Sequence, residues 1–241
     1  MQPKINRMSQ PQNLSDLESQ VARLSAGDGL SLIAKLFPGK VVFSTSLGQE
    51  DQVITQLIAS QKLPIQLFSL DTGRLFPEAL ELLSRTEHKY NTRIKVFYPE
   101  TTSVEKWVAE NGINGFYDSV ENRKSCCFVR KVEPLKRALS GNTVWVTGLR
   151  AEQSANRSDM KRIEWDESNQ IIKFNPLLDW TFEQMIAYIE EQKIPYNPLH
   201  DQGYVSIGCA PCTRAILPGE DARAGRWWWE DSKKECGLHA R

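Results

Sequence analysis

Five cysteines have the most informative spacing in this sequence of 241 residues. They form an adjacent pair, a C-x-x-C pair and one isolated residue near the end, namely Cys126, Cys127, Cys209, Cys212 and Cys236. Because two pairs of thiolates can supply four ligands, the sequence predicts either a tetrahedral zinc or a [4Fe–4S] cluster. Adjacent cysteines would strain a single zinc, whereas a cubane cluster presents separate iron corners. Four unliganded buried cysteines, or a disulfide within the adjacent pair, are the alternatives.

Basic residues surround the adjacent cysteine pair. The flanking cations are Arg123, Lys124, Arg130, Lys131, Lys136 and Arg137, with only Glu133 opposing them. Positive charge suits a thiolate-ligated cluster, which is dianionic. Among metals, the sequence therefore favours iron–sulfur over zinc.

The isolated Cys236 has the surroundings of a nucleophile. Lys233, Lys234 and His239 can lower its thiol pKa, and a position near the chain end gives access to a ligand. The indoles of Trp227–Trp229 predict that the base of this tail packs against the rest of the protein. The alternative is a surface cysteine without a function.

The elements that must position these residues alternate along the chain. Short β-branched or aromatic runs predict strands at Val41–Thr45, Ile65–Leu70, Ile94–Tyr98, Thr143–Thr147 and Ile171–Asn175. Apolar residues at helical spacing predict helices over 50–60, 77–90 and 181–192, and a lead-in helix containing Leu14 to Leu24. This alternation predicts an α/β fold with a doubly wound, mostly parallel sheet.

Three regions follow from this pattern. We predict an N-terminal helical lead-in over 1–39 and a nucleotide-binding α/β domain over 40–200 that carries the first cysteine pair. The remaining 201–241 are predicted to form a loop-rich segment with the second pair and the catalytic tail.

Small polar residues follow two predicted strands, where ligands bind in open α/β sheets. The first exit offers hydroxyls, a glycine and a helix N-terminus to an anion, through Ser44, Thr45, Ser46, Gly48 and Asp51. The second exit has turn chemistry and a cation, in Leu70, Asp71, Thr72, Gly73 and Arg74. Ordinary βα turns have the same composition and are the alternative.

A third exit, after the fourth strand, contains Gly148, Arg150 and Arg157. Two arginines there could clamp a phosphate, or could form surface ion pairs instead. No exit matches the phosphate loops of P-loop ATPases or dinucleotide dehydrogenases, so both classes are disfavoured.

Charge and hydropathy exclude several partners. Thirty Lys and Arg balance thirty Asp and Glu, so no basic field indicates a nucleic acid. No apolar stretch approaches the roughly 20 residues of a membrane helix, and the N-terminus lacks the apolar core of a signal peptide. The sequence predicts a cytoplasmic protein without nucleic-acid or membrane partners.

Taken together, these segments resemble the assimilatory adenylyl-sulfate (APS) reductases of the PAPS/APS reductase family. The resemblance runs from about residue 40 to the end, through the motifs Ser44–Asp51, Leu70–Pro77, Lys124–Lys131, Gly208–Cys212, Arg223–Glu230 and Glu235–His239. It implies an adenine nucleotide α-hydrolase-like fold. It also implies thioredoxin-dependent reduction of APS to sulfite and AMP, within sulfate assimilation and cysteine biosynthesis.

The resemblance also implies roles for individual residues. Cys126, Cys127, Cys209 and Cys212 would hold a [4Fe–4S] cluster, and Cys236 would attack the sulfo group. Lys131, Arg223, Arg226 and His239 would neutralise and orient the sulfate. Phosphosulfate would lie near Ser44–Ser46, and adenosine near Leu70–Gly73 and the 148–157 loop. The implied partners are thioredoxin or a glutaredoxin-like reductant, and a second copy in a homo-oligomer.

Three alternatives remain at this point. The substrate could be 3′-phosphorylated (PAPS), or both nucleotides could react; relatives that use PAPS lack the cluster cysteines. An adenylating enzyme on the same kind of sheet would need no terminal cysteine. A zinc-stabilised binding module would have no activity.

Overall fold

The structure is a computed structural model that describes residues 14–153 and 160–230. The predicted site residues Arg157, Cys236 and His239 lie outside these ranges. Within them, no helix is both long enough and apolar enough to cross a bilayer.

A six-stranded sheet forms the centre of the fold. Its strands are β1 (Val41–Ser44), β2 (Gln66–Leu70), β3 (Ile94–Phe97), β4 (Val144–Val146), β5 (Ile163–Asp166) and β6 (Ile171–Phe174). They lie in the order β3-β2-β1-β4-β6-β5, and every neighbouring pair is parallel except β5 and β6. The predicted mostly parallel α/β fold is therefore confirmed.

The strand order contains one reversal of direction. From β1 the chain moves outward through β2 to β3, and then returns to place β4 on the other side of β1. The carboxyl ends of β1 and β4 therefore flank the switch point, which is where open α/β sheets bind ligands.

Eight α-helices connect and extend the strands in the described residues. They are α1 (Leu14–Val21), α2 (Ala26–Leu36), α3 (Gln49–Ser60), α4 (Pro77–Tyr90), α5 (Thr101–Asn111), α6 (Val120–Cys127), α7 (Glu133–Leu139) and α8 (Phe182–Glu191). The predicted lead-in helix and the helices over 50–60, 77–90 and 181–192 are confirmed as α1, α3, α4 and α8. A π-helical segment, Phe128–Val132, joins α6 to α7.

Alternate strand residues face two apolar layers. Phe43 and Phe174 pack with α2, α3 and α8 on one face of the sheet, and Trp145 packs with α7 on the other. Helix α1 belongs to the first layer through Leu17 and Val21, so the lead-in packs on the sheet. The boundary at residue 39 stays a prediction.

A third apolar cluster attaches the C-terminal region. Trp107 and Phe116 pack there with Cys209, Cys212 and Trp227. The second cysteine pair and the first indole of the tryptophan run are thus buried together, as the sequence predicted for the base of the tail.

Candidate active site

The loops after β1 and β4 meet at the switch point. The Ser46 amide and hydroxyl both donate to Asp51 Oδ2, at 2.6 and 2.7 Å. A Cβ atom at Gly148 would lie 2.1 Å from Asp51 Oδ1. Only a glycine therefore allows the β4 loop to approach this carboxyl group.

At the first exit, the N-terminus of α3 is available to an anion. Gly48 precedes α3 without a side-chain cap, so the first amides of this twelve-residue helix have no side-chain acceptor at Gly48. The hydroxyls of Ser44 and Thr45 are used internally: Trp145 Nε1 donates to Ser44 Oγ at 2.8 Å, and the Leu47 amide to Thr45 Oγ1 at 3.0 Å. Ser46 is the exposed residue of the exit, and its hydroxyl donates to Asp51.

Burial governs the charge of Asp51. Desolvation raises its pKa from 3.8 to about 7, opposed by the hydrogen bonds from Ser46 and assisted by the negative charge of Glu50. Below about pH 7 the carboxyl group is neutral and does not repel an anion at the switch point.

The predicted clamp residue Arg150 is buried in an ion-pair network. Its Nε lies 2.9 Å from Glu50 Oε1, and its Nη1 lies 2.7 Å from Glu152 Oε2. The network ties the β4 loop to the start of α3. A role for Arg150 in phosphate binding stays a prediction.

The loop of the second exit contacts the second cysteine pair through Cys209. Thr72 Oγ1 lies 3.2 Å from Cys209 Sγ, and Arg130 Nη1 donates to the Thr72 carbonyl at 2.7 Å. Gly73 adopts a left-handed φ of 69°, and its amide donates to Asp71 Oδ1 at 2.8 Å. Because β2 lies beside β1, this exit connects the switch point with the cysteine region.

The four paired cysteines line one cavity. Its other walls combine cationic and apolar side chains, from Arg74, Phe116, Arg123, Arg130, Lys131, Pro211 and Trp227. Cys126 is half-buried, and the other three cysteines are buried. Folding therefore brings the two pairs together, as the sequence predicted.

One helical face supplies the first half of this cavity. Arg123, Cys126, Cys127, Arg130 and Lys131 follow the spacing i, i+3, i+4, i+7, i+8 along α6 and the π-helical segment. Residues at this spacing share a helix face. The second half is a short 3₁₀ turn, Ala210–Cys212, with Cys209 immediately before it.

The thiols of Cys126 and Cys212 resist deprotonation when no metal is bound. Burial raises the pKa of Cys126, opposed by Arg130. Burial raises the pKa of Cys212 to about 12, and the neighbouring Cys209 adds to the effect. A metal removes this penalty, because coordination deprotonates a thiol outright.

The donor set fits a group larger than one ion. Trp227 Nε1 is buried in the cavity wall without an acceptor in the described part of the chain. Four thiols, the cations Arg74, Arg130 and Lys131, and a spare N–H donor suit an anionic iron–sulfur cluster better than zinc. The fourth cation of the wall, Arg123, is paired with Glu230.

Two of the predicted catalytic cations lie at the cavity. Lys131 lines it, and the Arg226 guanidinium lies 4.7 Å from the Trp227 ring. A Cβ at Gly208 would lie 2.4 Å from Arg226 Nη2, so this glycine leaves room for the arginine. Arg223 is half-buried in the turn preceding Arg226.

The sequence places Arg74 in the second exit and Arg123 among the flanking cations, and assigns neither to the wall of the cysteine cavity. Arg74 lies at the end of the second exit, and its guanidinium stands 5.5 Å from the Phe116 ring. Arg123 had been noted only as a flanking cation. Its helical spacing from Cys126 and Cys127 was the signal that could have placed it.

Comparison with known proteins gives a consistent result. Residues 40–215 match the phosphoadenosine phosphosulfate reductase domain family. Adenosine 5′-phosphosulfate reductase from Allochromatium vinosum is 56% identical over 83% of this chain and 79% of its own length. The protein of the same name from Agrobacterium fabrum is 50% identical over 98% of this chain and 90% of its own.

A solved structure agrees with these relatives. Phosphoadenylyl-sulfate (PAPS) reductase from Candida auris, crystallised as a phosphate complex, superposes with a TM-score of 0.73 and 30% identity. The match covers 87% of this chain and 99% of that one. The resemblance inferred from the sequence motifs is confirmed.

Proposed function

The chain belongs to the phosphoadenosine phosphosulfate reductase family, and we propose that it reduces adenosine 5′-phosphosulfate to sulfite and AMP with a dithiol protein of the thioredoxin type. Its curated relatives carry the name of this activity. The reaction would serve assimilatory sulfate reduction.

One observation supports this proposal above the others. A cavity with four cysteines and four cations adjoins the carboxyl-end crevice through the contact of Thr72 with Cys209. A nucleotide in that crevice would place its sulfo group toward a strongly positive wall. A nucleotide-binding protein without redox chemistry needs no such cavity.

The crevice residues bind and orient the nucleotide in this proposal. Ser46 and the first amides of α3 receive the phosphosulfate, and protonated Asp51 avoids repelling it. The adenosine lies along the exits of β2 and β4, near Leu70–Gly73 and Gly148. Arg150 holds the β4 loop in place through Glu50.

Cys126, Cys127, Cys209 and Cys212 would hold a [4Fe–4S] cluster. When bound, the cluster supplies a fixed, buried charge and joins the two cysteine segments. Lys131 and Arg226 lie close enough to Cys212 to lower the pKa of its thiol. Both cations therefore contribute to the positive potential of the cavity. The buried Trp227 Nε1, which has no acceptor in the described part of the chain, would be available as a hydrogen-bond donor beside the cluster.

Cys236 carries out the covalent step. Its thiolate attacks the sulfur of the sulfo group, the sulfur–oxygen bond to the phosphate breaks, and AMP leaves with that electron pair. Lys131, Arg223, Arg226 and His239 offset the repulsion between the two anions. The product on the enzyme is S-sulfocysteine.

A reduced dithiol completes the cycle. One of its thiolates attacks Cys236 Sγ, sulfite leaves with the electron pair of the sulfur–sulfur bond, and a mixed disulfide remains. The second thiol then releases Cys236. Thioredoxin, with a potential of about −270 mV, is a suitable two-electron donor.

Two variants test this assignment. Cys236→Ser should abolish sulfite release and retain nucleotide binding, because in this proposal the nucleotide contacts come from residues at the exits of β1, β2 and β4. Lys131→Ala should lower turnover and retain iron. Loss of nucleotide affinity in Cys236→Ser, or unchanged sulfite release, would contradict the proposed nucleophile.

A second substrate follows from the comparison with the Candida auris enzyme, whose name specifies PAPS. Comparing kcat/KM for the two nucleotides decides the preference, and we expect APS to be preferred. Iron and acid-labile sulfide in the purified protein exclude the zinc-stabilised module; zinc alone would support it.

A further inference from the structure

The structure contains a buried ion pair that the proposed mechanism does not use. Arg123 Nε donates to Glu230 Oε1 at 2.9 Å, and Arg123 Nη2 donates to Glu230 Oε2 at 2.8 Å. Both side chains are only 3% exposed. This is the bidentate geometry that fixes two side chains in both distance and orientation.

Stability alone explains such a pair poorly. Removing two charges from water costs about as much as their attraction returns, and well-packed apolar replacements are often neutral or stabilising. A buried ion pair of this kind is better explained by the two chain segments that it holds in a fixed relative position. The two residues of this pair lie in different parts of the chain, 107 positions apart.

One end belongs to the cysteine helix. Arg123 precedes Cys126 and Cys127 by three and four residues on α6 and lines the same cavity. Its guanidinium also lies 4.6 Å from the Trp227 ring. Any shift of α6 relative to the C-terminal segment would move this guanidinium away from its carboxylate.

The other end lies at the origin of the catalytic tail. Glu230 is the last described residue, and Cys236 follows it by six residues. The Glu230 amide donates to the Trp227 carbonyl at 2.9 Å, and the Trp227 amide donates to the Cys212 carbonyl at 3.2 Å. The tail origin is therefore tied to α6 through a side chain and to the second cysteine pair through the backbone.

The number of residues between Glu230 and Cys236 limits how far the nucleophile can lie from this anchor. Six residues span at most about 20 Å when fully extended. Cys236 is thus confined to a sphere of that radius around Glu230, next to the cysteine cavity. Holding the centre of this sphere fixed raises the effective concentration of the thiolate at the sulfo group.

We propose that Arg123 and Glu230 are positioning residues for the sulfo transfer, which set the origin of the tail that carries Cys236. This inference rests on the proposed function, in which Cys236 accepts the sulfo group. In this proposal the pair acts before the chemical step, by fixing where the tail begins.

The test compares charge removal at two ion pairs. The double variant Arg123→Met with Glu230→Leu removes both buried charges together, which avoids leaving one unpaired. The control is Arg214→Met with Glu220→Leu. Arg214 and Glu220 form a bidentate pair at 2.8 and 2.9 Å within the C-terminal segment, and neither residue lines the cysteine cavity.

Three quantities are measured anaerobically on each protein: iron and sulfide content, the affinity for AMP, and the single-turnover rate of S-sulfocysteine formation at Cys236. We expect the Arg123/Glu230 variant to form the adduct at least about tenfold more slowly, since small misplacement can cost up to about a hundredfold. The double substitution removes one positive and one negative charge, so the net charge beside the cavity is unchanged and iron content and AMP affinity should match those of the native protein. The control should match in all three.

The outcomes separate the two proposals. If the native protein forms no adduct at Cys236, the proposed function fails. If the adduct forms at the native rate in the Arg123/Glu230 variant, the proposed positioning role of the pair is wrong. If that variant loses iron, the pair has a structural role and not a positioning role. Glu230→Gln with retained iron and an unchanged adduct rate would confirm this structural role.

Discussion

The pH dependence of stability tests the buried carboxyl group at the switch point. Asp51→Asn replaces the acid with a neutral amide that can still accept the Ser46 N–H. Burial raises the pKa of Asp51 to about 7 in the folded protein, from 3.8. The unfolded chain therefore releases this proton at lower pH than the folded protein does.

The sign of the effect follows from proton counting. Asp51 contributes stability below about pH 4, and this contribution is lost as the pH rises to about 7. Each pH unit in the interval costs about 1.4 kcal/mol, so the full loss is about 4 kcal/mol. The amide of the Asp51→Asn variant has no proton to release in this range, so the variant has no such loss.

Urea unfolding from about pH 5 to about pH 8 measures the difference between the two proteins. The free energy of unfolding of the native protein should fall by about 2 kcal/mol relative to Asp51→Asn between pH 5 and pH 7. The exposed Asp16→Asn on α1 is the control and should parallel the native protein. Parallel profiles for Asp51→Asn would show that Asp51 is ionised throughout, and the argument from burial would be wrong.

Further substitutions test the geometry of the site. Gly148→Ala should weaken AMP binding at least about tenfold with iron retained, because its Cβ would meet Asp51 Oδ1 at 2.1 Å; equilibrium dialysis measures this, and native affinity would contradict the close approach. Gly208→Ala should lower turnover by a similar factor without changing AMP affinity, since its Cβ would displace the Arg226 guanidinium; native turnover would show that Arg226 tolerates the shift. Cys212→Ser should remove iron and acid-labile sulfide, and full retention of both would exclude Cys212 as a ligand.

The parallel strands were predictable because each is a short apolar run followed by turn residues. Strand β5 was not predicted. It is an antiparallel edge strand in which Ile163 and Trp165 alternate with Glu164 and Asp166, and four alternating residues give a weak signal. Helix α6 was also missed, since the face of α6 that lines the cavity carries Arg123, Cys126 and Cys127 instead of an apolar stripe.

The candidate site was predictable as residue types and only partly as geometry. The cysteine spacing indicated a metal, and the polar strand exits indicated a crevice. The sequence could not show that Thr72 would contact Cys209, because this contact joins residues 137 positions apart. Likewise, nothing local to Arg150 predicted that it would pair with Glu50, which lies 100 positions away in the sequence.

The most direct measurement is the identification of the covalent intermediate. Native protein incubated anaerobically with APS, without a reductant, should gain one sulfo group, which peptide mass analysis should place on Cys236. Reduced thioredoxin should then remove this group and release sulfite. Sulfite formation by a chain truncated before Cys236, or a sulfo group on any other residue, would contradict the mechanism.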